Sequence, residues 1–214
     1  MEPTLRITAL EPDPRRPDAI RLEIDGARFG AIPRNVVEAE RLTVGSVLDP
    51  MLQEKLATAA DTEAAFRTVL RALEVRSYAR SDLTRRLLRK GHHRPAAEAA
   101  IERAAGLDLL DDAAFARNYV ETRSARGRGP SRLMRDLLSM GVDRALIDRA
   151  LAAVWPEGSD CTAVPLALAQ KRDSQLGALP RHARRRRVVA YLARRGFTGR
   201  EITQIVDQVI ARKS

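Results

Sequence analysis

Several residue types are scarce in this 214-residue chain, and each scarcity excludes a class of protein. The single cysteine, Cys161, can form no intramolecular disulfide and cannot by itself build a cysteine-based zinc site. Aromatic residues make up only 4% of the chain, so its core must be mainly aliphatic, which suits helices. No apolar run approaches the roughly 18 residues of a membrane span, and the N-terminus lacks the pattern of a signal peptide. The sequence therefore predicts a cytoplasmic protein.

Motifs for catalysis and metal binding are also missing. The sequence has no GxxxxGK[ST] phosphate-binding loop, no HExxH, no paired-cysteine motif and no G-x-S-x-G nucleophile elbow. His92 and His93 are neighbours at a predicted helix break, where they point in different directions, and no thiol or carboxylate is spaced to complete a site. The sequence predicts no catalytic residues, no metal site and no cofactor.

The charge is strongly uneven along the chain. In total, 38 Lys and Arg residues face 28 Asp and Glu residues, which gives a net charge of +10. Residues 1–66 hold 8 basic and 12 acidic residues, whereas residues 67–214 hold 30 basic and 16 acidic ones. This balance favours an acidic or polyanionic partner for the C-terminal two-thirds. Because 34 of the basic residues are Arg, which a GC-rich genome also favours, position is more informative than number.

The first 60 residues have the pattern of a small β meander followed by a helix. Apolar residues alternate in TLRITAL (residues 4–10) and in AIRLEIDG (19–26), and ARFGAIP (27–33) follows the hairpin signal Asp25-Gly26. The proline-rich EPDPRRPD (11–18) predicts a turn, and NVVEAERL (35–42) a short helix. A longer helix is expected to begin near Pro50, and the strands should pack on it because so small a sheet is unstable alone.

The rest of the chain contains a threefold repeat centred on a glycine. The glycines are Gly91, Gly141 and Gly196. Apolar residues lie eight before each glycine (Leu83, Leu133, Val188), four before it (Leu87, Leu137, Leu192) and ten after it (Ile101, Leu151, Val206). Two helices joined by a left-handed glycine explain this spacing. A further helix precedes each pair, at residues 66–79, 112–126 and 162–175.

Helix starts after the glycines can be assigned individually. Thr198 with Glu201 has the pattern of a capping box, Asp143 that of an N-cap, and Pro95 suits a first helical turn. The predicted architecture is mainly α: three tandem three-helix modules in an elongated, curved array after a small β-rich region. The predicted boundaries are 1–60, 61–108, 109–156 and 157–214.

Basic residues recur on the predicted exposed side of the helices in all three modules. Each such arginine alone is equally well explained by a solvated helix surface, but their recurrence predicts a collective basic face. Its members are Arg76, Arg85, Arg86, Arg89, Lys90, Arg123, Arg126, Arg128, Arg132, Arg135, Arg184, Arg185, Arg187, Arg194 and Arg195. The segment Arg126-Gly127-Arg128-Gly129-Pro130 is either an ordinary loop or a phosphate-wrapping one with free backbone N–H groups.

Three stretches resemble the RecX family of bacterial regulatory proteins. They are RSYARSDLTRRLLRKG, the segment from GLDLLDDAAFARNYVETRSARGRGPSRLMRDLL to SMGVDRALIDRAL, and LARRGFTGREI. The most specific matches are Leu107, Leu109, Leu110, Asp111, Asp112, Phe115, Ala116, Arg123, Arg126, Gly127, Gly129 and Pro130. The resemblance covers about residues 67–212, and the β-rich region is similar to an extension of longer members.

The resemblance implies a non-enzymatic regulator of the RecA recombinase in homologous recombination, DNA repair and the SOS response. Such a regulator lies in the groove of the RecA filament on DNA and usually lowers ATP hydrolysis and strand exchange. We also expect weak direct binding to single- and double-stranded DNA, a monomeric chain and no membrane partner. The basic face can meet acidic RecA surface, DNA phosphate or both.

A second hypothesis is a sequence-independent DNA-binding protein that acts through the basic helical face. A three-helix module is similar to a helix-turn-helix unit, and its charge attracts phosphate whatever the base sequence. Few Asn or Gln side chains are placed to read base edges, Gln204 and Gln208 being exceptions, which disfavours sequence-specific repression. A third hypothesis, an enzyme of nucleic-acid metabolism, lacks a catalytic constellation.

Overall fold

The structure of the chain, a computed structural model, describes residues 5–14, 16–158 and 160–211. It divides into two compact units, unit 1 up to Leu110 and unit 2 from Asp111 onward. Thr4 and Arg15, which belong to the predicted first strand and turn, lie outside the described residues, as do residues 212–214. In the part of the chain that is described, no helix is both long and apolar enough to cross a membrane.

Unit 1 opens with an antiparallel sheet in the order β3-β2-β1-β4. Its strands are β1 (Leu5–Asp13), β2 (Arg16–Ile24), β3 (Ala27–Pro33) and β4 (Val47–Leu48). The predicted hairpin is confirmed: Asp25 and Gly26 have φ of 49° and 75°, as a tight turn with two left-handed residues requires. The short strand β4, which pairs with Leu5 and Arg6, was not predicted.

The turn within the proline-rich segment is shorter than the sequence predicts. β1 continues to Asp13 and β2 already begins at Arg16. Pro12 pairs with Ile20 of β2, and β4 does not extend along β1 that far. A proline that lacks an N–H group is tolerated where the outer side of a strand is unpaired, so the expected break does not occur there.

The sheet packs on a long helix, as expected. After α1 (Arg34–Ala39), α2 (Pro50–Leu73) places Leu56 against Ile7, Leu22 and Ile32, all of which are buried. The Asp49 side chain accepts a 2.7 Å hydrogen bond from the Leu52 N–H and caps the start of α2.

The same helix also serves the first module, so two expectations need correction. α2 runs without a break through the boundary predicted between residues 60 and 61, and it ends at Leu73 rather than at residue 79. Phe66 and Val69 of α2 are buried in the first module's core. No Gly or Pro interrupts the helix after Pro50, so it spans both parts of unit 1.

A buried carboxylate joins the sheet to the first module. Glu63 of α2 is 1% exposed, and it pairs with Arg16 of β2 and with Arg103, whose Nη1 lies 2.9 Å from the Glu63 Oε2. The other guanidinium nitrogen of Arg103 lies 2.6 Å from the Asp18 carboxylate, and Phe66 lies beneath both arginines. This network connects elements that are far apart in the sequence.

Eight further helices complete the modules. They are α3 (Arg80–Arg89), α4 (Arg94–Gly106), α5 (Asp112–Ser124), α6 (Pro130–Ser139), α7 (Arg144–Val154), α8 (Ala163–Ser174), α9 (Arg181–Arg195) and α10 (Arg200–Ala211). Module one consists of the C-terminal part of α2 with α3 and α4, module two of α5–α7, and module three of α8–α10. The mainly α fold with three-helix modules is thus confirmed.

The glycine turns are built alike in all three modules. Gly91, Gly141 and Gly196 have φ of 90°, 78° and 96°. After each glycine, the N–H of the next residue bonds the carbonyl five positions back, and the glycine N–H bonds the carbonyl three back. This is the hydrogen-bond pattern of a Schellman C-cap. The repeat positions eight before, four before and ten after each glycine are all at most 8% exposed.

Two of the three predicted helix starts are confirmed. The Asp143 side chain accepts from the Ala145 N–H at 2.8 Å, and Pro95 lies in the first turn of α4. The capping box at Thr198 is wrong, because α10 begins at Arg200 after Gly199, and Thr198 Oγ1 instead lies 3.3 Å from Ser131 Oγ.

Candidate interaction surface

The three tyrosines of the chain each lie beneath an arginine, one in each module. The guanidinium-to-ring distances are 3.7 Å for Arg76 and Tyr78, 4.2 Å for Arg123 and Tyr119, and 5.0 Å for Arg195 and Tyr191. Cation–π attraction of this kind orients a long side chain without neutralising its charge. The sequence reasoning missed these tyrosines, although their position near predicted basic residues was the available signal.

In module one, some of the predicted basic residues are already paired. The Asp82 carboxylate lies 4.0 Å from Arg76 and 3.7 Å from Arg85. Arg86 is half-buried, with its guanidinium 5.8 Å from the Tyr78 ring. Arg89 and Lys90 at the end of α3 are exposed, and neither forms an ion pair within the described residues.

In module two, a single carboxylate forms ion pairs with two of the predicted basic residues. The Asp136 carboxylate is 3.0 Å from Arg128 and 2.9 Å from Arg132, and it also accepts from the Tyr119 hydroxyl at 3.3 Å. Burial, followed by the nearby charge of Asp136, raises the pKa of Tyr119 above its ordinary value of 10.0. Arg128 and Arg132 are therefore partly neutralised, whereas Arg135 donates only to the Ser131 carbonyl at 3.2 Å.

Module three corrects one expectation. Arg184 does not belong to an exposed face: it is 7% exposed, and its guanidinium binds both carboxylate oxygens of Asp173 at 2.7 Å. Asp173 of α8 is itself buried, so this pair fastens α8 to α9 inside the module. The helix periodicity did not reveal the burial because the acidic partner lies on another helix.

The remaining predicted residues of module three are more accessible. Arg185 is exposed and bonds Asp207, and this hydrogen bond lowers the pKa of Asp207 below its ordinary value. Arg187 and Arg194 are exposed, and within the described part of the chain neither has a carboxylate partner.

The Arg126–Pro130 loop contacts the end of α9. The Gly129 N–H donates to the Arg195 carbonyl at 2.7 Å, and the Ser131 N–H donates to the Gly196 carbonyl at 3.2 Å. The Arg195 Nη1 in turn donates to the carbonyls of Arg126 and Gly127, both at 3.2 Å. Each segment therefore binds carbonyl groups of the other.

The same contacts decide between the two interpretations of this loop. The N–H groups of Gly127 and Arg128 donate to the carbonyls of Ser124 and Arg123, while those of Gly129 and Ser131 are used by α9. These amides are not free to wrap a phosphate, so the loop acts as an intramolecular connector. Anion binding at this place must rely on side chains.

The histidine pair is held against α2 by Asp61. His92 Nδ1 lies 2.6 Å from the Asp61 carboxylate of α2, whose other oxygen accepts the His93 N–H at 2.9 Å. The residues that follow the glycine in the other modules, Val142 and Phe197, are buried apolar ones. His92 thus replaces an apolar contact by a polar one to α2.

Comparison with known proteins shows to which family the chain belongs. Two family models match, described as the second three-helix domain of RecX over residues 111–151 and the third over residues 166–206. A protein of Xanthomonas campestris pv. campestris (strain B100) named "Regulatory protein RecX" is 36% identical over 127 residues, which cover 59% of this chain and 76% of the relative. The chain belongs to the RecX family. A RecX protein of Chlorobium phaeobacteroides (strain BS1) is 30% identical over 150 residues, or 70% of this chain and 95% of the relative.

Solved structures of RecX proteins share the fold. One described as "Crystal structure of regulatory protein RecX" has a TM-score of 0.73 at 24% identity, and the match covers 95% of this chain and 99% of that one. RecX from Lactobacillus salivarius has a TM-score of 0.57 at 19% identity, covering 72% and 96%. The relatives are named regulatory proteins, so the chain is a member of a family of RecX regulators.

Proposed function

We propose that this chain binds the RecA filament on DNA and lowers its ATP hydrolysis and strand exchange, without a catalytic activity of its own. The observation that carries the proposal is its membership of a family whose relatives are named "Regulatory protein RecX". The proposal takes the chain to act as a cytoplasmic monomer, as its sequence predicts.

Exposed basic side chains without an intramolecular partner are the best candidate contacts. A guanidinium that already binds a carboxylate offers less net charge to a partner. Arg85 and Arg185 are of that kind, and Arg184 is buried. The proposed contact set is therefore narrower than the predicted basic face. It comprises Arg89, Lys90, Arg126, Arg187 and Arg194.

An ATPase titration tests the proposal. RecA is assembled on single-stranded DNA, and its ATP hydrolysis is measured with increasing amounts of the full chain. We expect the rate to fall in a saturable manner. A rate that stays unchanged at all concentrations of the chain contradicts the proposal.

A second candidate function is sequence-independent DNA binding through the basic helical face. The similarity of the three-helix modules to helix-turn-helix units and the positive charge of residues 67–214 favour it.

The salt dependence of binding separates the two candidate functions. For duplex DNA, the logarithm of the binding constant falls with the logarithm of the salt concentration, with a slope of about −0.9 for each phosphate neutralised. A protein interface also contains apolar contacts, which depend less on salt. Fluorescence anisotropy on naked and on RecA-coated DNA over a range of salt concentrations separates the two functions. Equal affinities with parallel salt slopes favour the DNA-binding protein.

A further inference from the structure

The junction between modules two and three is a close backbone contact that only glycine allows. Gly129 has an ordinary φ of −86°, yet a Cβ atom there would lie 2.5 Å from the Gly196 carbonyl oxygen and 2.9 Å from the Phe197 ring. A Cβ atom on Gly196 would likewise collide with Arg132. Together with the reciprocal hydrogen bonds of Gly129, Ser131 and Arg195, this contact fixes the junction in one arrangement.

The segments that meet at the junction carry basic residues of both modules. The Arg195 guanidinium contacts the backbone of Arg126, and Arg132 lies against Gly196. Arg194 precedes these contact residues of module three directly in the chain. Asp136 pairs with Arg132, and within the described residues Arg126 and Arg194 have no ion pair. Exposed positive charges without an internal counter-ion attract an anionic partner.

The chemistry of the junction favours phosphate over a protein surface. Its donors are guanidinium groups and the paired hydroxyls of Ser131 and Thr198. In the described part of unit 2, the exposed large apolar side chains are Leu138 and Val164, and neither belongs to the junction. A stable protein interface has an apolar core, whereas donors such as Arg and hydroxyl groups bind a nucleic-acid backbone without one.

We infer that the junction, residues 126–132 with 194–198, is one composite binding site for the sugar–phosphate backbone of a nucleic-acid strand, and that Arg195 is its positioning residue. The inference rests on the proposed function and deepens it by naming a phosphate-binding place within unit 2. Arg195 holds the two modules in register, so that their separate basic residues contact one strand together. Two contacts held rigidly bind with an affinity that neither reaches alone.

A substitution without any charge change gives the sharpest test. Gly129→Ala introduces the steric conflict with Gly196, whereas Gly177→Ala, also in unit 2, meets only an ordinary 3.7 Å contact. Binding of the full-length variants to a labelled single-stranded oligothymidine is measured by anisotropy over a range of salt concentrations. We expect Gly129→Ala to weaken binding about tenfold or more and to flatten the salt slope, while Gly177→Ala binds like the parent. Parent-like affinity and slope for Gly129→Ala overturn the composite site.

A second pair of variants covers the case in which Gly129→Ala loses helicity by circular dichroism. Arg194→Gln and Arg195→Gln each remove one positive charge, but only Arg195 donates to the carbonyls across the junction. A lost phosphate contact changes the single-strand salt slope by about 0.7. We expect the salt slope of Arg194→Gln to change by about the value for one phosphate contact, and that of Arg195→Gln to change by the value for several. Equal losses for the two variants overturn the positioning role.

Labelled polyglutamate distinguishes phosphate from an acidic protein surface. We expect the parent to bind it more weakly than oligothymidine, and Gly129→Ala to leave that binding unchanged. Tighter binding to polyglutamate, with the same loss in Gly129→Ala, overturns the phosphate assignment in favour of an acidic protein partner. The ATPase titration tests the proposed function separately. If the parent chain lowers the ATP hydrolysis of RecA but Gly129→Ala binds DNA like the parent, only the composite site is disproved.

Discussion

The amide of Gly129 donates a 2.7 Å hydrogen bond to the carbonyl of Arg195, although the two residues belong to different modules. The contact places the loop before α6 on the turn after α9, so that Gly129 and Gly196 approach too closely for any side chain. The repeat unit of the sequence and the structural unit therefore differ, because unit 2 holds two modules joined through backbone groups.

Gly196→Ala should destabilise unit 2 more than Gly158→Ala does. Both residues have a positive φ, 96° and 78°, which costs an L-residue about 1–2 kcal/mol. A Cβ on Gly158 meets nothing within 4 Å, whereas one on Gly196 collides with Arg132, so we expect a total near 3 kcal/mol for Gly196→Ala. Urea denaturation measures both free energies of unfolding. Equal values for the two variants contradict the close packing of the junction.

Leu137→Ala and Leu192→Ala should each lower the free energy of unfolding by about 2–5 kcal/mol, because both side chains are fully buried and leave a cavity. Leu138→Ala is the matched control, since Leu138 is 44% exposed and should change little. Thermal and denaturant unfolding give the comparison. If the control is as harmful as Leu137→Ala, the register of the repeat is incorrect.

Reversing the charges of Arg89 and Lys90 to Glu should weaken binding to the RecA–DNA filament without loss of helicity. Both residues are exposed and unpaired within the described structure, and exposed charges contribute little to folding. The control is the double reversal Arg117→Glu with Arg149→Glu, at two exposed residues outside the predicted basic face, which changes the net charge by the same amount. Filament binding at moderate salt that is the same in both variants argues against a role for the end of α3.

Glu63→Ala should destabilise unit 1 by about 3 kcal/mol, because it leaves Arg16 and Arg103 without the carboxylate that they share. Glu54→Ala, an exposed position on the same helix, should have little effect. Denaturant midpoints measured for the two variants test this difference. Equal midpoints would show that the buried network is dispensable.

Tyr119 should make stability depend on pH above its ordinary pKa. Its pKa is raised in the folded chain, so the unfolded chain releases the phenolic proton first as the pH rises through 10.0. The contribution is fully present below that pH and is lost above it, up to the raised pKa of the folded state. Urea denaturation in this alkaline range should show a smaller loss for Tyr119→Phe than for the parent. The same loss in both chains contradicts the burial of the hydroxyl.

For the basic face, the sequence predicted where the arginines lie along the helices but not which of them are exposed. Predicting that helices of all three modules carry arginines required only composition and periodicity. Whether an arginine is exposed depends on carboxylates elsewhere in the chain: Arg184 is buried against Asp173 of the preceding helix, while Arg187 on the same helix is exposed. Pairwise distances between helices are not encoded in local patterns, so the exposure expected for Arg184 was wrong.

Local sequence patterns were sufficient to predict the glycine-centred repeat, the hairpin at Asp25-Gly26 and the buried apolar positions. These features depend on backbone preferences and on hydrophobic periodicity, which act over a few residues. Two further features became visible only in the folded chain: α2 packs on both the sheet and module one, and the Gly129 loop binds the end of α9. Those features depend on which backbone and charged groups meet after folding, since a buried polar group must find its partner wherever the chain brings one.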